Sequence, residues 1–131
     1  MTVIPKLFER GMAVRTEVLG REHVERMGKR TTPFNADFQS FITQYAWGEI
    51  WTRPTLDRKT RSMLTIAMLV ALGHHEELKL HIRATRNTGV TPDEVKEILL
   101  QAAIYAGVPA ANTAFNLARE VYDQMEKETS P

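Results

Sequence analysis

A chain of 131 residues, 43% hydrophobic and 25% charged, has the composition of one globular domain with room for a real core, which excludes a disordered chain. Seventeen basic and sixteen acidic residues nearly cancel, and no block of like charge is long enough to track phosphates, so nucleic acid is not an expected partner. The absence of cysteine removes disulfides, thiolate nucleophiles and Cys-ligated metals, and fits a reducing compartment.

The opening run MTVIPKLFERGMAVRTEVLG spreads its charges and lacks a signal-peptide core, so a cytoplasmic location is expected. Residues 4–19 predict a first helix with two apolar strips, Phe8, Met12 and Leu19 on one side and Leu7, Val14 and Val18 on the other. Gly20 interrupts it, and Glu22–Gly28 adds a short helical piece before a polar connection ending at Pro33. In the next stretch Phe34, Phe38, Phe41, Ile42 and Tyr45 recur at helical spacing, and the same wheel carries Glu49 into the middle of that stripe. Trp47 and Trp51 flank Glu49, and Arg53-Pro54 ends the element. Two readings of Glu49 stand: a carboxylate held among aromatics, or a helix that frays at Gly48 and turns Glu49 to solvent.

The centre of the chain is a helical hairpin broken at Gly73. From Met63 to Leu72 only Thr65 interrupts an apolar run, too short to span a bilayer and read as a core helix. In the helix that follows, Leu78, Leu80, Ile82 and Ala84 define an apolar arc that also contains His74, Glu77 and His81. Gly89 predicts a left-handed C-terminal residue, and Thr91-Pro92-Asp93-Glu94 spells a capping box. The helix it starts buries Val95, Leu99, Ala102, Ala103 and Ala106, while Leu100 and Ile104 form a second strip that suggests a subunit contact. A last helix opens near Pro109 with Ala111, Ala114, Phe115, Ala118, Val121, Tyr122 and Met125 on one face, and residues 126–131 are expected to fray. The predicted fold is all-α: one domain over residues 1–131, about six helices around the central hairpin.

Ionisable groups on the buried side of a helix are costly unless paired or used. Glu77 and His81 are four apart, so the carboxylate can fix the tautomer and raise the basicity of the ring; a structural ion pair satisfies the same pattern. His74, Glu77 and His81 do not match the HExxH spacing, His74 could simply cap the turn, and no metal is expected. Arg58 and Arg61 could grip a carboxylate in a bidentate fork, with a solvated helix face as the alternative for Arg58. Tyr105 could donate to a developing oxyanion, or sit at the rim of the core. No phosphate loop, GxSxG or nucleotide-binding motif is present, which argues against ATP or NAD chemistry.

The run FITQYAWGEIWTRPTLDRKTRSMLTIAMLVALG, followed by HEELKLHIRATRNTGVTPDEVKEILLQAAIYAGVPAA, resembles the carboxymuconolactone decarboxylase family, and the likeness extends to the opening RTEVLGREHV. WGEIW, LDRKTRS, HIR and IYAGVPA occur together and in order. The wider superfamily includes alkylhydroperoxidase D-like proteins with CxxCxxxH on the equivalent helix. Here those positions read His74, Glu77 and His81, and without a thiol the peroxidase reading falls.

The resemblance implies a cofactor-free lyase of the protocatechuate branch of the β-ketoadipate pathway. It would turn a small lactone dicarboxylate, 4-carboxymuconolactone, into 3-oxoadipate enol-lactone and carbon dioxide. It also implies a homo-oligomer, hexamer or trimer, with no membrane partner. The roles it suggests are His81 as proton donor, Glu77 orienting it, and Glu49 near the departing carboxylate or in the proton relay. Arg61 or Arg58 would anchor the acetate arm, Tyr105 would assist the oxyanion, and Trp47 or Trp51 would wall the pocket. Rival readings are a related lyase or isomerase on another lactone or oxo-acid, a non-catalytic helical binding module, and a metal-dependent hydrolase.

Overall fold

The computed structural model describes residues 1–129, and among them every regular element is helical. The chain gathers into two compact units, one from Met1 to Arg58 and one from Lys59 onward.

The first unit begins with α1 (Pro5–Leu19) and α2 (Arg21–Lys29), separated by Gly20 at φ 91. A short α3 (Ala36–Phe41) runs directly into a π-helical segment, π1 (Ile42–Ile50). At the end of π1 the Trp51 N–H donates to the Ala46 carbonyl at 3.0 Å, a bond of i→i+5 type. π1 lies tightly along α1 because glycines meet there. A Cβ on Gly48 would come 2.6 Å from the Leu7 carbonyl oxygen, and one on Gly11 would collide with the Thr43 carbonyl. The buried side of π1 is therefore Thr43, Gln44, Trp47 and Gly48. Gln44 is satisfied by accepting from the Ile4 N–H at 2.7 Å and donating to the Ser40 carbonyl at 3.2 Å.

This corrects the expected aromatic core stripe. Phe34 is 99% exposed, and Phe38, Phe41 and Tyr45 are also exposed. At Tyr45 a wheel drawn at α-helical pitch fails because the chain winds more widely in π1, and the backbone contact through Gly11 and Gly48 selects a different face. Phe34, Phe38 and Phe41 precede π1, and that winding does not account for them.

The second unit holds α4 (Arg58–Leu72) from its second residue on, α5 (His75–Thr88), α6 (Pro92–Tyr105) and α7 (Val108–Thr129). Gly73 at φ 72 makes the hairpin turn between α4 and α5, as the sequence predicts. His74 caps nothing with its side chain. Ile66 and Val70 of α4, Leu78 and Ile82 of α5, Val95 and Leu99 of α6, and Ala114, Ala118 and Val121 of α7 share one core. Within it the Thr88 hydroxyl donates to Ser62 Oγ at 2.9 Å, tying the hairpin together. Gly89 takes the left-handed conformation, and both halves of the Thr91–Glu94 capping box form.

Three expectations change here. On α4 only Ser62, Ile66 and Val70 are buried, and Leu64, Met68 and Leu72 lie open, so half of the all-apolar helix is not core. On α6 Ala106 is exposed, and Ile98 takes the inner position instead. The expected tail is helical over residues 126–129 as the end of α7; the rest of it, residues 130–131, lies outside the described residues.

Candidate active site

The residues singled out by sequence divide between the two units. In the first, Trp47 is buried in π1 and stacks on Trp51, with ring centroids 4.9 Å apart and 28° between planes. Glu49 follows on the open side, its side chain 52% exposed, facing the Arg10 guanidinium at 3.7 Å. Arg10 Nε in turn donates to the Gly48 carbonyl at 3.0 Å. Of the two readings of Glu49, the isolated chain has the solvent-facing one, and the cause is the wider winding of π1. Arg58 closes this unit and is tied to Glu17 at 2.8 Å, so its guanidinium is already engaged.

In the second unit His81 stands on α5 half-buried, with its Nδ1 out of solvent. Glu77, one turn earlier, is exposed in the first turn of α5, where a carboxylate also favours the helix N-terminus. Neither Glu49 nor Glu77 is held out of water in the isolated chain; of the three groups the imidazole alone is drawn inward. Among the described residues His74, Glu77 and His81 do not gather as metal ligands would. Arg61 is half-buried on α4, with its Nε out of solvent. Tyr105, at the end of α6, is 82% exposed. It lines an open apolar trough of about 750 Å³ between α4 and α6, with Met63, Leu64, Met68 and Gln101.

One ionisable group escaped the sequence reading. Arg15 on α1 is 6% exposed, and burial pushes its pKa below the ordinary arginine value. Its neighbours at helical spacing are Gly11, Val18 and Leu19, all buried. The rule that singled out His81, a charge on an apolar face, would have found it. Nearby His23 is likewise held below the usual histidine range, first by burial and then by the cations Arg26 and Arg15.

Comparison with known proteins places the chain in a family. The carboxymuconolactone decarboxylase family matches over residues 36–120, from α3 into α7. A 4-carboxymuconolactone decarboxylase of Acinetobacter baylyi is 52% identical over 118 residues, covering 90% of this chain and 88% of that protein. A nitrosuccinic acid decarboxylase of Metarhizium robertsii is 42% identical over 120 residues, covering 92% and 84%. A 4-carboxymuconolactone decarboxylase of Pseudomonas putida is 43% identical over 42 residues, which is 32% of this chain and 88% of that one. With the central hairpin, the capped α6 and the start of α7 all inside the matched span, the chain belongs to the carboxymuconolactone decarboxylase family.

Proposed function

We propose that this protein acts as one domain that decarboxylates 4-carboxymuconolactone to 3-oxoadipate enol-lactone in the β-ketoadipate pathway. The observation that carries the reading is 52% identity, over 90% of the chain, to a protein named for that activity. The chemistry asks for no metal or organic cofactor. The departing carboxylate sits on the γ-carbon of an unsaturated lactone. When the carbon–carbon bond breaks, its electron pair runs through the double bond to the lactone carbonyl and gives a dienolate. A proton delivered to the α-carbon then completes the enol-lactone.

The protein must therefore hold a carboxylate, stabilise an oxyanion and deliver one proton. Within the second unit His81 is the proposed donor and Glu77 its orienting carboxylate. Arg61 or Arg58 is proposed as the anchor for the acetate arm; Arg58 pairs with Glu17 in the isolated chain. Tyr105 is the proposed oxyanion donor. For the first unit the proposed roles are Glu49 in carboxylate departure or proton relay, and Trp47 or Trp51 as apolar wall. Each is tested singly.

A second substrate class has its own support. The 42% identical relative named for nitrosuccinic acid acts on a dicarboxylic acid whose nitro group can accept the electron pair, as the lactone carbonyl does here. Purified protein should bleach the ultraviolet absorbance of 4-carboxymuconolactone with one carbon dioxide released per turnover, and nitrosuccinate run beside it ranks the two. Turnover of neither acid would overturn the proposal.

We further propose a homo-oligomer, trimer or hexamer, supported by exposed Leu64, Met68 and Leu72 on α4 and exposed Leu100 and Ile104 on α6. The proposed location is the cytoplasm. No helix among the described residues is long and apolar enough to cross a membrane.

A further inference from the structure

Arg15 poses a problem that the proposed reaction does not absorb. Its Nη1 donates to Thr43 Oγ1 at 3.2 Å and its Nη2 to Gln39 Oε1 at 3.1 Å, both neutral acceptors. Its Nε is buried with no partner, and among the described residues no carboxylate pairs with the guanidinium. A cation withdrawn from water without a counter-charge is costly, and removing its solvent without replacing it is not a stable arrangement. Beside it is a partly open cavity of about 170 Å³ lined by residues of α1, α2, α3 and π1 and by Thr31. Arg15, Gln39, Ser40 and Thr43 line the polar part, and Met12 and Met27 the apolar part.

We propose that this cavity is a binding site for a small organic carboxylate, whose charge completes the Arg15 guanidinium. A guanidinium has five N–H donors in a planar fork, of which only two are used here, and a carboxylate takes two side by side. The hydroxyls of Ser40 and Thr43 supply further polar contacts for the same group. Met12 and Met27 favour a carbon skeleton behind the carboxylate, which sets the ligand apart from inorganic anions. The volume admits an acid of a few carbons. The site lies wholly within the first unit and stands whether or not the decarboxylase reading does.

The probe is succinate, titrated at pH 7 and constant ionic strength into nitrogen-15-labelled full-length protein, with the Arg15 Nε–H resonance followed by NMR. That resonance is identified by its loss in Arg15→Lys. Expected is a saturable shift in the millimolar range. Calorimetric affinity should fall by about tenfold or more in Arg15→Lys, which keeps the charge but loses the fork. Ala36→Leu, which leaves Arg15 in place and fills the cavity, should abolish binding. Three results would overturn the proposal: a resonance that succinate does not move, an equal shift from chloride or sulfate (an adventitious ion only), or undiminished binding by Ala36→Leu.

Discussion

His81 and Arg15 are one anomaly met at two depths: a group that titrates or carries charge, set on the apolar face of a helix. Such placement is a reason to look for a use, and for His81 the use proposed above is proton transfer, a task that imidazoles commonly perform. His81→Gln is expected to lower kcat for decarboxylation by roughly 10²–10⁴-fold, the usual worth of a general acid, while leaving the urea midpoint nearly unchanged. A drop in stability with full turnover would make His81 a structural residue. Glu49→Gln is the parallel test in the first unit. Because Glu49 is half in solvent against Arg10, its loss should affect turnover far more than folding. His23 gives a pH prediction whose sign follows from its surroundings. Burial and the cations Arg26 and Arg15 depress its folded-state pKa, so between that value and the ordinary one the unfolded chain binds more protons. Stability should therefore fall as pH drops from neutral through the usual histidine range, and His23→Gln should flatten the decline in urea midpoints measured across that range.

At the scale of elements, two glycines of the first unit make predictions of opposite sign. Gly48→Ala places a methyl 2.6 Å from the Leu7 carbonyl oxygen, a backbone atom that can yield only by opening the helix pair. The expected cost is roughly 1–3 kcal/mol in urea unfolding. Gly28→Ala, on α2 with open space around it, should instead gain about 0.5–1 kcal/mol, since it only restricts the unfolded chain. The capping box is a third case: Thr91→Ala removes the acceptor for the Glu94 N–H at 3.1 Å and should cost about 1 kcal/mol. These elements also explain what could be read from the chain beforehand. The capping box, the Gly89 terminus and the Gly73 turn obey rules that act within a few residues, so they were legible. π1 was not, because its winding and buried face follow from a meeting of Gly11 with Gly48 that no local window contains. The choice between the two readings of Glu49 depends on the same winding, whereas Arg15 is legible in principle, since its apolar neighbours lie in the same helix. The half-open α4 is illegible for another reason, since an apolar face looks identical in sequence whether it is buried in its own chain or left open.

At the scale of the whole molecule the open apolar surface becomes the argument. Leu64, Met68 and Leu72 on α4, and Leu100, Ile104 and Tyr105 on α6, are all exposed, and of these Leu64, Met68 and Tyr105 line one trough between two helices of the same unit. Single chains rarely leave an apolar trough of about 750 Å³ open to water, and faces of this kind mark association sites. The chain should therefore sediment as an integer multiple of its own mass at micromolar concentration. Met68→Glu together with Ile104→Glu, which add charge without touching the buried positions Ile66, Val70 and Leu99, should release folded single chains of unchanged helicity. Tyr105 then discriminates between two uses of the trough. If it serves assembly alone, Tyr105→Phe keeps both turnover and mass. If its hydroxyl steadies the oxyanion, Tyr105→Phe keeps the mass and lowers kcat by about 10²-fold or more. A wild-type chain that sediments alone would remove the covering that α4 lacks and leave its exposed leucines and methionine without a physical reason.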